Sequence, residues 1–480
     1  MSDVEELGEY YEIVFPAPVE NPNLYHPGGF HPVRLGEILD SEGRFRVVHK
    51  LGDGGFGTVW LCRDSLHNKW RAVKINAAKA SEESCPDLAI MEQFSAFTPE
   101  QLAENHIALP SEYFWLDGPN GRHLCTVMPL LGSRLNELYK WYGNCPPLLK
   151  RICFQLAQGL GFLHDHGYCH GDFRPDNILF QLADGIDELP EDELLETLGQ
   201  PQQVKVIPFC GGEVGPHVPE YLVSKTSFTF SSGLCSNKIV ISDLGLSYPI
   251  GGTTKPGIPL FWSAPEDLFA RGELGPATDI WALGCTIMEV ATGLLPFKDE
   301  NGVILQTVQM MEETMGPLPQ PYRDAWEVEF ELPYANDKLD DSLNVTMTPE
   351  FYQYMEKLRL ESHGIAHLLR GQLVKGCFRL FVSHEQARQI ACQDYCRTGR
   401  LPGFTPLDEP AEWDDRVGYE RNEEDMELLH DLLSKIFRWH PEERASLDEI
   451  LDHPWLEVWF NCKEHHHSPA CPIRFSTLIL

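Results

Sequence analysis

The side chains best suited to chemistry lie in the segment His170-Gly-Asp-Phe-Arg-Pro-Asp-Asn177. Asp172 offers a carboxylate that can accept a proton from a hydroxyl group, and Asn177, five residues later, offers an oxygen ligand for a metal ion. The alternative is an ordinary polar loop that follows a helix. However, a His-x-Asp-x₄-Asn pattern directly before the β-type run Ile178-Leu-Phe180 seldom arises by chance. The segment therefore predicts a loop that holds a general base beside a metal ligand.

A further carboxylate, Asp243, follows the apolar run Ile239-Val-Ile241 and is followed by Leu244-Gly245. The run predicts a buried strand with the carboxylate at its end. Mg²⁺ prefers one or two carboxylates together with phosphate oxygens. We therefore expect Asp243 to bind Mg²⁺.

A glycine-rich segment, Leu51-Gly-Asp-Gly-Gly-Phe-Gly-Thr-Val59, has the GxGxxGxV pattern. Glycines allow the backbone to pass close over phosphates and to aim N–H groups at them. The same pattern marks dinucleotide-binding folds, in which the loop should open a helix. Because β-type residues follow here, the segment favours a strand–loop–strand arrangement.

Lys74, in Ala72-Val-Lys74, lies on the predicted strand after this loop. A lysine framed by apolar residues usually marks an edge strand whose amine reaches water. Downstream of a glycine loop, it becomes the expected contact for the α- and β-phosphates of a nucleotide. Asp87, at the start of a helical run, is the first candidate for its carboxylate partner, and Glu83 and Glu92 are alternatives.

The elements that would position these residues change character along the chain. Strand patterns come first, at residues 45–61, 70–75 and 124–128, with one helical run at 88–94. Helical patterns then dominate, at residues 148–164, 280–292 and 426–437. Strands followed by helices predict an α+β fold, with a small sheet-based lobe before a larger helical lobe.

Composition narrows the class of protein. The 480 residues include 38 Lys+Arg and 72 Asp+Glu, a net charge of −34, which argues against direct binding to nucleic acid or to an anionic membrane. A hydrophobic content of 42% excludes wholesale disorder. The 14 cysteines follow no disulfide framework, and the acidic N-terminus is not a secretory signal. We therefore expect a protein of the cytoplasm, the nucleus or both.

Together these motifs resemble those of the eukaryotic protein kinases. Ala264-Pro-Glu266, the run Asp279 to Gly284, and Arg444 with the residues around it extend the resemblance, which covers residues 43–457. Three features resemble the SR-protein kinases in particular. They are the segment Tyr25-His-Pro-Gly-Gly-Phe-His-Pro-Val-Arg-Leu-Gly36, a long insert between Asn177 and Asp243, and Asp-Leu-Gly in place of Asp-Phe-Gly.

The resemblance implies a bilobal Ser/Thr protein kinase that uses ATP and Mg²⁺, acts as a monomer and has Arg/Ser-rich proteins as candidate substrates. It implies catalytic roles for Asp172, Lys74, Arg174 and Asn177, magnesium ligands at Asn177 and Asp243, and a buried structural pair of Glu266 and Arg444. The implied ATP contacts are Leu51, Gly52, Gly54, Gly57, Val59, Ala72, Lys74, Asp87, Met128 and Leu131.

The implied domain boundaries follow from the same resemblance. Residues 1–42 form an N-terminal extension, 43–130 the small lobe, 131–457 the large lobe and 458–480 a C-terminal tail. The large lobe carries a spacer-like insert at about 183–237 and a second insert at about 320–425. Seven carboxylates within residues 184–196 are expected to be solvated.

Two other functions remain open from the residues alone. Four departures from the kinase pattern would fit a pseudokinase that acts as a scaffold. Asp87 stands in place of the usual Glu, Gly171 of the usual Arg and Arg174 of the usual Lys, and Pro259 stands where a Thr is common. His-Gly-Asp also resembles the catalytic loop of aminoglycoside and choline kinases, so a small-molecule phosphotransferase is the second alternative. The motifs at 264–266 and 279–284 favour a protein kinase.

Overall fold

The computed structural model describes residues 11–13, 17–138, 146–209, 212–228, 233–252, 257–270, 274–298, 304–330 and 423–457. These residues divide into two compact units. Unit 1 contains the described residues up to Ser133 together with Leu179–Ser236. Unit 2 contains Arg134–Ile178 and the described residues from Asn237 onward.

The described residues form thirteen strands and eleven α-helices. The strands are β1 Tyr11–Ile13, β2 Phe45–Gly54, β3 Gly57–Asp64, β4 Lys69–Asn76, β5 Glu112–Gly118, β6 Gly121–Pro129, β7 Leu131–Arg134, β8 Tyr168–Cys169, β9 Ile178–Leu182, β10 Gln203–Pro208, β11 Tyr221–Val223, β12 Cys235–Ile241 and β13 Tyr248–Pro249. The helices are α1 Pro86–Gln93, α2 Pro99–Glu104, α3 Pro146–Asp165, α4 Glu191–Leu198, α5 Pro265–Leu268, α6 Pro276–Thr292, α7 Ile304–Met315, α8 Gln320–Phe330, α9 Glu423–Ile436, α10 Leu447–Leu451 and α11 Pro454–Glu457.

Unit 1 is built on a five-stranded antiparallel sheet with the strand order β2-β3-β4-β6-β5. Trp60, Val73 and Val127 lie opposite one another on three adjacent strands and are almost fully buried. Because side chains alternate between the two faces of a strand, this register commits one face of the sheet to the core. The neighbours of these three residues in sequence point to the other face of the sheet.

The N-terminal extension and the insert also belong to unit 1. Strands β1, β10 and β11 form a second antiparallel sheet, and Tyr11, Val206 and Leu222 are buried together against it. The sequence assigned the insert to the larger lobe, whereas the structure places Leu179–Ser236 in unit 1. The physical reason is that each segment has too few apolar residues to form its own core, and together they share one.

The acidic part of the insert is only partly solvated. Helix α4 buries Leu194, Glu191 forms an ion pair with Arg46, and Asp187 accepts a hydrogen bond of 2.8 Å from the Trp70 backbone N–H. The insert is thus held to the main sheet of unit 1 by apolar burial and by its carboxylates.

Unit 2 is mainly helical, as the sequence predicted. Helix α3 packs against α6, and its apolar side of Ile152, Leu156 and Leu160 is completely buried. On α6, Trp281 stacks on a second aromatic ring, that of Phe297, at 5.1 Å between centroids. The apolar spacing of three and four residues along α3 therefore describes one buried helix face.

Residues 320–330 are the first part of the insert predicted at about 320–425. They form helix α8, in which Tyr322 and Trp326 are buried and the Tyr322 hydroxyl donates to the Trp439 carbonyl at 3.1 Å. The rest of that insert, 331–422, and the predicted tail lie outside the described residues. In the described part of the chain, no helix has the length and apolar character needed to cross a membrane.

Candidate functional site

The nucleotide contacts predicted in unit 1 share one face of the five-stranded sheet. Val59 lies opposite Lys74, and Ala72 lies opposite Met128, in the antiparallel register. Residues directly opposite in such a pair point to the same face, as do residues two apart on one strand. These four side chains therefore lie on the face turned away from the Trp60 core, and Leu51 and Leu131 are half-buried nearby in sequence.

The two strands before Lys74 join in a tight hairpin at the glycine loop, where Gly54 pairs with Gly57 and Gly52 pairs with Val59. A Cβ atom at Gly57 would lie closer than 3.0 Å to the Ile75 carbonyl, so the sheet itself requires glycine there. A Cβ at Gly54 would meet no atom within 4 Å. Packing thus explains the glycine at 57, and the open glycine at 54 leaves room for a ligand close to the backbone.

Lys74 has a carboxylate partner in the same unit. Its Nζ lies 3.4 Å from Asp87 Oδ2, and the two side chains are 25% and 13% exposed. Asp87 stands in the first turn of α1, where a negative charge is also favoured by the helix dipole. Asp87, the first candidate from the sequence, thus lies within ion-pair distance of Lys74.

The loop around Asp172 in unit 2 is held by its own polar groups. Asn177 Nδ2 donates to Asp172 Oδ2 at 2.7 Å and to the Asp172 carbonyl at 2.8 Å. Arg174 Nε donates to Asp172 Oδ1 at 3.0 Å. Burial raises the pKa of Asp172, against the opposing effects of Arg174 and Asn177. The result is a carboxylate of fixed orientation whose basicity is increased by its surroundings.

Arg174 bridges two carboxylates, because its Nη1 also donates to Asp176 Oδ2 at 2.8 Å. Asp176 in turn accepts a hydrogen bond of 2.7 Å from Asn136. The planar guanidinium donates from Nε to Asp172 and from Nη1 to Asp176. A lysine has a single ammonium nitrogen and could not reproduce this two-nitrogen geometry. Arg174 is 26% exposed, so it remains accessible to a ligand.

His170 is completely buried, and burial lowers the pKa of its imidazole. Its Nδ1 accepts a hydrogen bond from the Asp172 backbone N–H at 3.1 Å, which assigns the proton to Nε2. That Nε2–H donates to the Ser242 carbonyl at 3.2 Å. His170 thus acts as a buried connector between the Asp172 loop and the segment that carries Asp243.

Asp279 is a residue whose contact with this loop was not predicted. Its carboxylate is fully buried at the start of α6 and accepts the backbone N–H groups of His170 at 2.7 Å and Gly171 at 3.2 Å. His164 Nε2 donates to the same carboxylate at 2.9 Å. An aspartate directly before the apolar run Ile280–Cys285 is a signal that could have indicated this role, since a buried carboxylate needs donors.

Gly171 is required by close backbone packing. Its φ is +78°, and a Cβ atom there would lie closer than 3.0 Å to the Leu246 carbonyl. The Gly171 carbonyl accepts the Gly257 N–H at 3.2 Å. A larger residue at this position would push apart two segments of the loop region, which gives a structural reason for glycine where the resemblance expects arginine.

The predicted magnesium ligands, Asn177 and Asp243, belong to linked segments. Ser242, next to Asp243, donates to the Asn177 carbonyl from its N–H at 2.8 Å and from its hydroxyl at 2.9 Å. Asp243 is solvent-exposed and has a left-handed backbone, with φ 58° and ψ 56°, which is uncommon outside glycine. An exposed carboxylate beside an amide whose nitrogen is already used offers oxygen donors, which fit Mg²⁺.

The predicted pair of Glu266 and Arg444 is present and fully buried. Arg444 donates from Nη1 and Nη2 to the two carboxylate oxygens at 2.7 and 2.6 Å. Thr278 adds a hydroxyl donor to Glu266 at 3.0 Å, and Arg444 also donates to the Ala277 carbonyl at 2.7 Å. This saturated pair holds α5, α6 and the segment before α10 together.

Comparison with protein families gives a match over most of the chain. The protein kinase domain family matches residues 45–189 and 231–456. The unmatched stretch between them falls within the insert of unit 1. One solved structure, described as the crystal structure of a kinase domain, aligns with a TM-score of 0.54 and 18% identity over 90% of this chain and 99% of its own. That alignment supports the bilobal kinase fold.

Among the relatives that match this chain are kinases named SRSF protein kinase and SRPK. Protein kinase dsk1 from Schizosaccharomyces pombe is 37% identical over 166 residues, 33% of this chain and 30% of that protein. SRSF protein kinase 3 from Homo sapiens is 34% identical over 174 residues, 34% of this chain and 30% of that protein. The match thus spans about a third of either relative. Serine/threonine-protein kinase SRPK from Physarum polycephalum is 27% identical over 64% of this chain and 75% of its own length.

Proposed function

Because the chain belongs to the protein kinase domain family, we propose that it transfers the γ-phosphate of ATP to serine and threonine hydroxyls of proteins. The observation that carries this proposal is the Asp172 carboxylate. It is oriented by Asn177 and Arg174 and tied to the Asp243 segment through His170. A fixed carboxylate of raised pKa is suited to accept the proton of a substrate hydroxyl.

The other residues take roles that follow from their charge. Lys74 binds the phosphates of ATP through its ammonium group while Asp87 keeps it oriented. Arg174 offers a cation to the transferred phosphate beside Asp172. Asn177 and Asp243 would hold Mg²⁺, which, when bound, offsets the negative charge of the phosphate oxygens. Catalysis then consists mainly of positioning and charge neutralisation.

We further propose that the substrates are basic, Arg/Ser-rich proteins. The chain carries a net charge of −34, so long-range attraction favours cationic segments and opposes nucleic acid. The relative named SRSF protein kinase 3 supports the same substrate class. The relatives named here are protein kinases, so neither the scaffold nor the small-molecule phosphotransferase is proposed.

The proposal is tested by transfer of labelled γ-phosphate from Mg-ATP to an Arg-Ser repeat peptide, with a Lys-Ser repeat and a neutral serine peptide in parallel. We expect the Arg-Ser peptide to be phosphorylated best. In Asp172→Asn, kcat should fall by about 10³-fold, because the proton acceptor is lost and the shape is kept.

Asp448→Asn, which changes an exposed aspartate of α10 far along the chain from the loop, is the matched control and should keep wild-type turnover. Thermal unfolding of all three proteins shows whether the fold is intact. Wild-type turnover in Asp172→Asn, or binding of Mg-ATP without transfer to any of the peptides, would contradict the proposed activity.

A further inference from the structure

The glycine loop of unit 1 contains a carboxylate. Asp53 lies between Gly52 and Gly54, within the segment proposed to cover the phosphates of ATP. A negative charge there repels phosphate, so an uncompensated Asp53 would weaken nucleotide binding. The surroundings of Asp53 therefore bear on how the loop can accept an anionic ligand.

Two lysines flank Asp53. Its Oδ1 lies 3.9 Å from Lys50 Nζ and 3.6 Å from Lys225 Nζ. The same oxygen is buried and accepts no hydrogen bond from the described residues. This carboxylate oxygen is thus close to two ammonium groups but hydrogen-bonded to neither. The two lysines therefore offset the negative charge of Asp53 without fixing the position of its side chain.

The first lysine is fixed by the N-terminal extension. Lys50 is fully buried and forms an ion pair with Glu20, which is 2% exposed and also accepts the Tyr25 hydroxyl. Lys50 Nζ also lies 5.8 Å from the centre of the Trp60 ring. A buried ammonium held by a buried carboxylate cannot leave for solvent, so its distance from Asp53 is set by the fold.

The second lysine comes from the insert. The Lys225 N–H donates to the Pro18 carbonyl at 3.3 Å, and the next residue, Thr226, donates to the Lys50 carbonyl at 3.0 Å. These backbone bonds bring the insert, the extension and the strand before the glycine loop to one place in unit 1. Lys225 itself is 49% exposed, so its side chain can be replaced without opening the core.

We propose that Lys225, together with Lys50, is a positioning residue for ATP: the two ammonium groups neutralise Asp53 and allow the glycine loop to lie over the phosphates. The set of Glu20, Lys50, Asp53 and Lys225 holds two carboxylates and two ammonium groups, so its formal charge is zero. The N-terminal extension and the insert thereby increase the affinity for ATP without contacting its phosphates. This inference rests on the proposed binding of ATP.

The test is a double-mutant cycle on the full chain, with Lys225→Met, Asp53→Asn and the double variant. The first readout is the Kd for Mg-ATP, measured by competition with a fluorescent nucleotide. The second is the kcat of phosphate transfer together with the KM for ATP. Lys225→Met should weaken Mg-ATP binding by about twofold to fivefold and raise KM, with kcat unchanged. In the Asp53→Asn background the same substitution should change Kd only within about 1.5-fold, because the charge that Lys225 neutralises is gone.

Lys205→Met, at another exposed lysine of the insert, is the matched control and should leave Kd unchanged. The effect of Lys225→Met should also shrink when the ionic strength rises from about 0.05 M to about 0.5 M, since screening weakens exposed charges. Equal loss of affinity in both backgrounds would mean that Lys225 contacts the nucleotide directly, and no loss would mean that Asp53 does not need it; either result overturns the inference.

The two proposals fail separately. If the wild type binds Mg-ATP and transfers no phosphate, the proposed activity fails and the cycle still decides the role of Lys225 through Kd. If the wild type transfers phosphate and Lys225→Met binds Mg-ATP like the wild type, the positioning role alone is overturned.

Discussion

Two lysines of the main sheet in unit 1 differ in their access to water. Lys50 on β2 is fully buried against Glu20, whereas Lys74 on β4 is 25% exposed and lies 3.4 Å from Asp87. A buried ion pair cannot lose one partner without leaving an uncompensated charge, which costs several kcal/mol. In a partly exposed pair the ammonium group can also bind an incoming phosphate while its carboxylate stays in place, because the pair is partly solvated. The buried pair of Lys50 and Glu20, here called closed, therefore suits support of the glycine loop. The partly exposed pair of Lys74 and Asp87, here called open, suits binding of phosphate.

Unit 2 repeats this contrast with arginines. Arg444 and Glu266 are both completely buried and doubly hydrogen-bonded, whereas Arg174 and Asp172 are 26% and 10% exposed and share one hydrogen bond. The exposure of the side chains, more than the type of charge, separates the pairs that support the fold from those available for chemistry.

The largest effect on stability is expected at the closed pair of unit 2. Arg444→Met should lower the free energy of unfolding by about 3–5 kcal/mol, because Glu266 remains buried without its cation. Arg174→Met should lower it by less than about 1 kcal/mol, since that pair is partly solvated. Urea denaturation followed by circular dichroism measures both. Similar losses in the two variants would remove the distinction between closed and open pairs.

A smaller effect on stability is expected from Gly→Ala changes at two glycines that differ in the space around them. Gly171 and Gly167 have φ values of +78° and +82°, but only at Gly171 would a Cβ meet another atom within 4 Å. Gly167→Ala should cost about 1 kcal/mol for the left-handed backbone alone. Gly171→Ala should cost about 1–3 kcal/mol more, because of the contact with the Leu246 carbonyl. Equal denaturation midpoints for the two variants would contradict this.

The smallest effect is expected in the pH profile of the open pair. Arg174 lowers the pKa of Asp172, against the larger raising effect of burial. In Arg174→Met that pKa should rise further, so Asp172 is protonated at higher pH. Because a protonated Asp172 cannot accept the substrate proton, the acid limb of kcat/KM should move to higher pH. Arg174→Lys keeps the charge and should move the limb less; an unmoved limb in both variants would argue against Asp172 as the base.

Local patterns predicted the elements of both units well. The run at 148–164 predicted a helix that the structure extends to Pro146–Asp165, and the glycine loop predicted the hairpin between β2 and β3. The protein kinase fold followed from the order of several motifs. These predictions succeeded because helix periodicity, strand alternation and glycine spacing are short-range properties that can be seen within a few residues.

The sequence did not predict what long-range packing decides. The second sheet of unit 1 needs strands from the extension and from the insert, and neither strand has an apolar pattern long enough to indicate it. The sequence also did not predict the helix Gln320–Phe330, whose Tyr322 ring contacts that of Trp439, because this contact joins residues more than a hundred positions apart. For Asp279, the motif was visible, but its hydrogen bonds to the loop were not.

By itself, the sequence determined the protein family, the candidate catalytic loop and the alternation that directs Lys74 to one face of its strand. Only the tertiary structure decided which charged groups are buried together, such as Lys50 with Glu20 across 30 positions. The physical reason is that a charge pair is stabilised by proximity and by the exclusion of water, and both depend on how distant segments pack. Asp53 is the clearest case, because its two lysines come from the same strand and from a segment far along the chain.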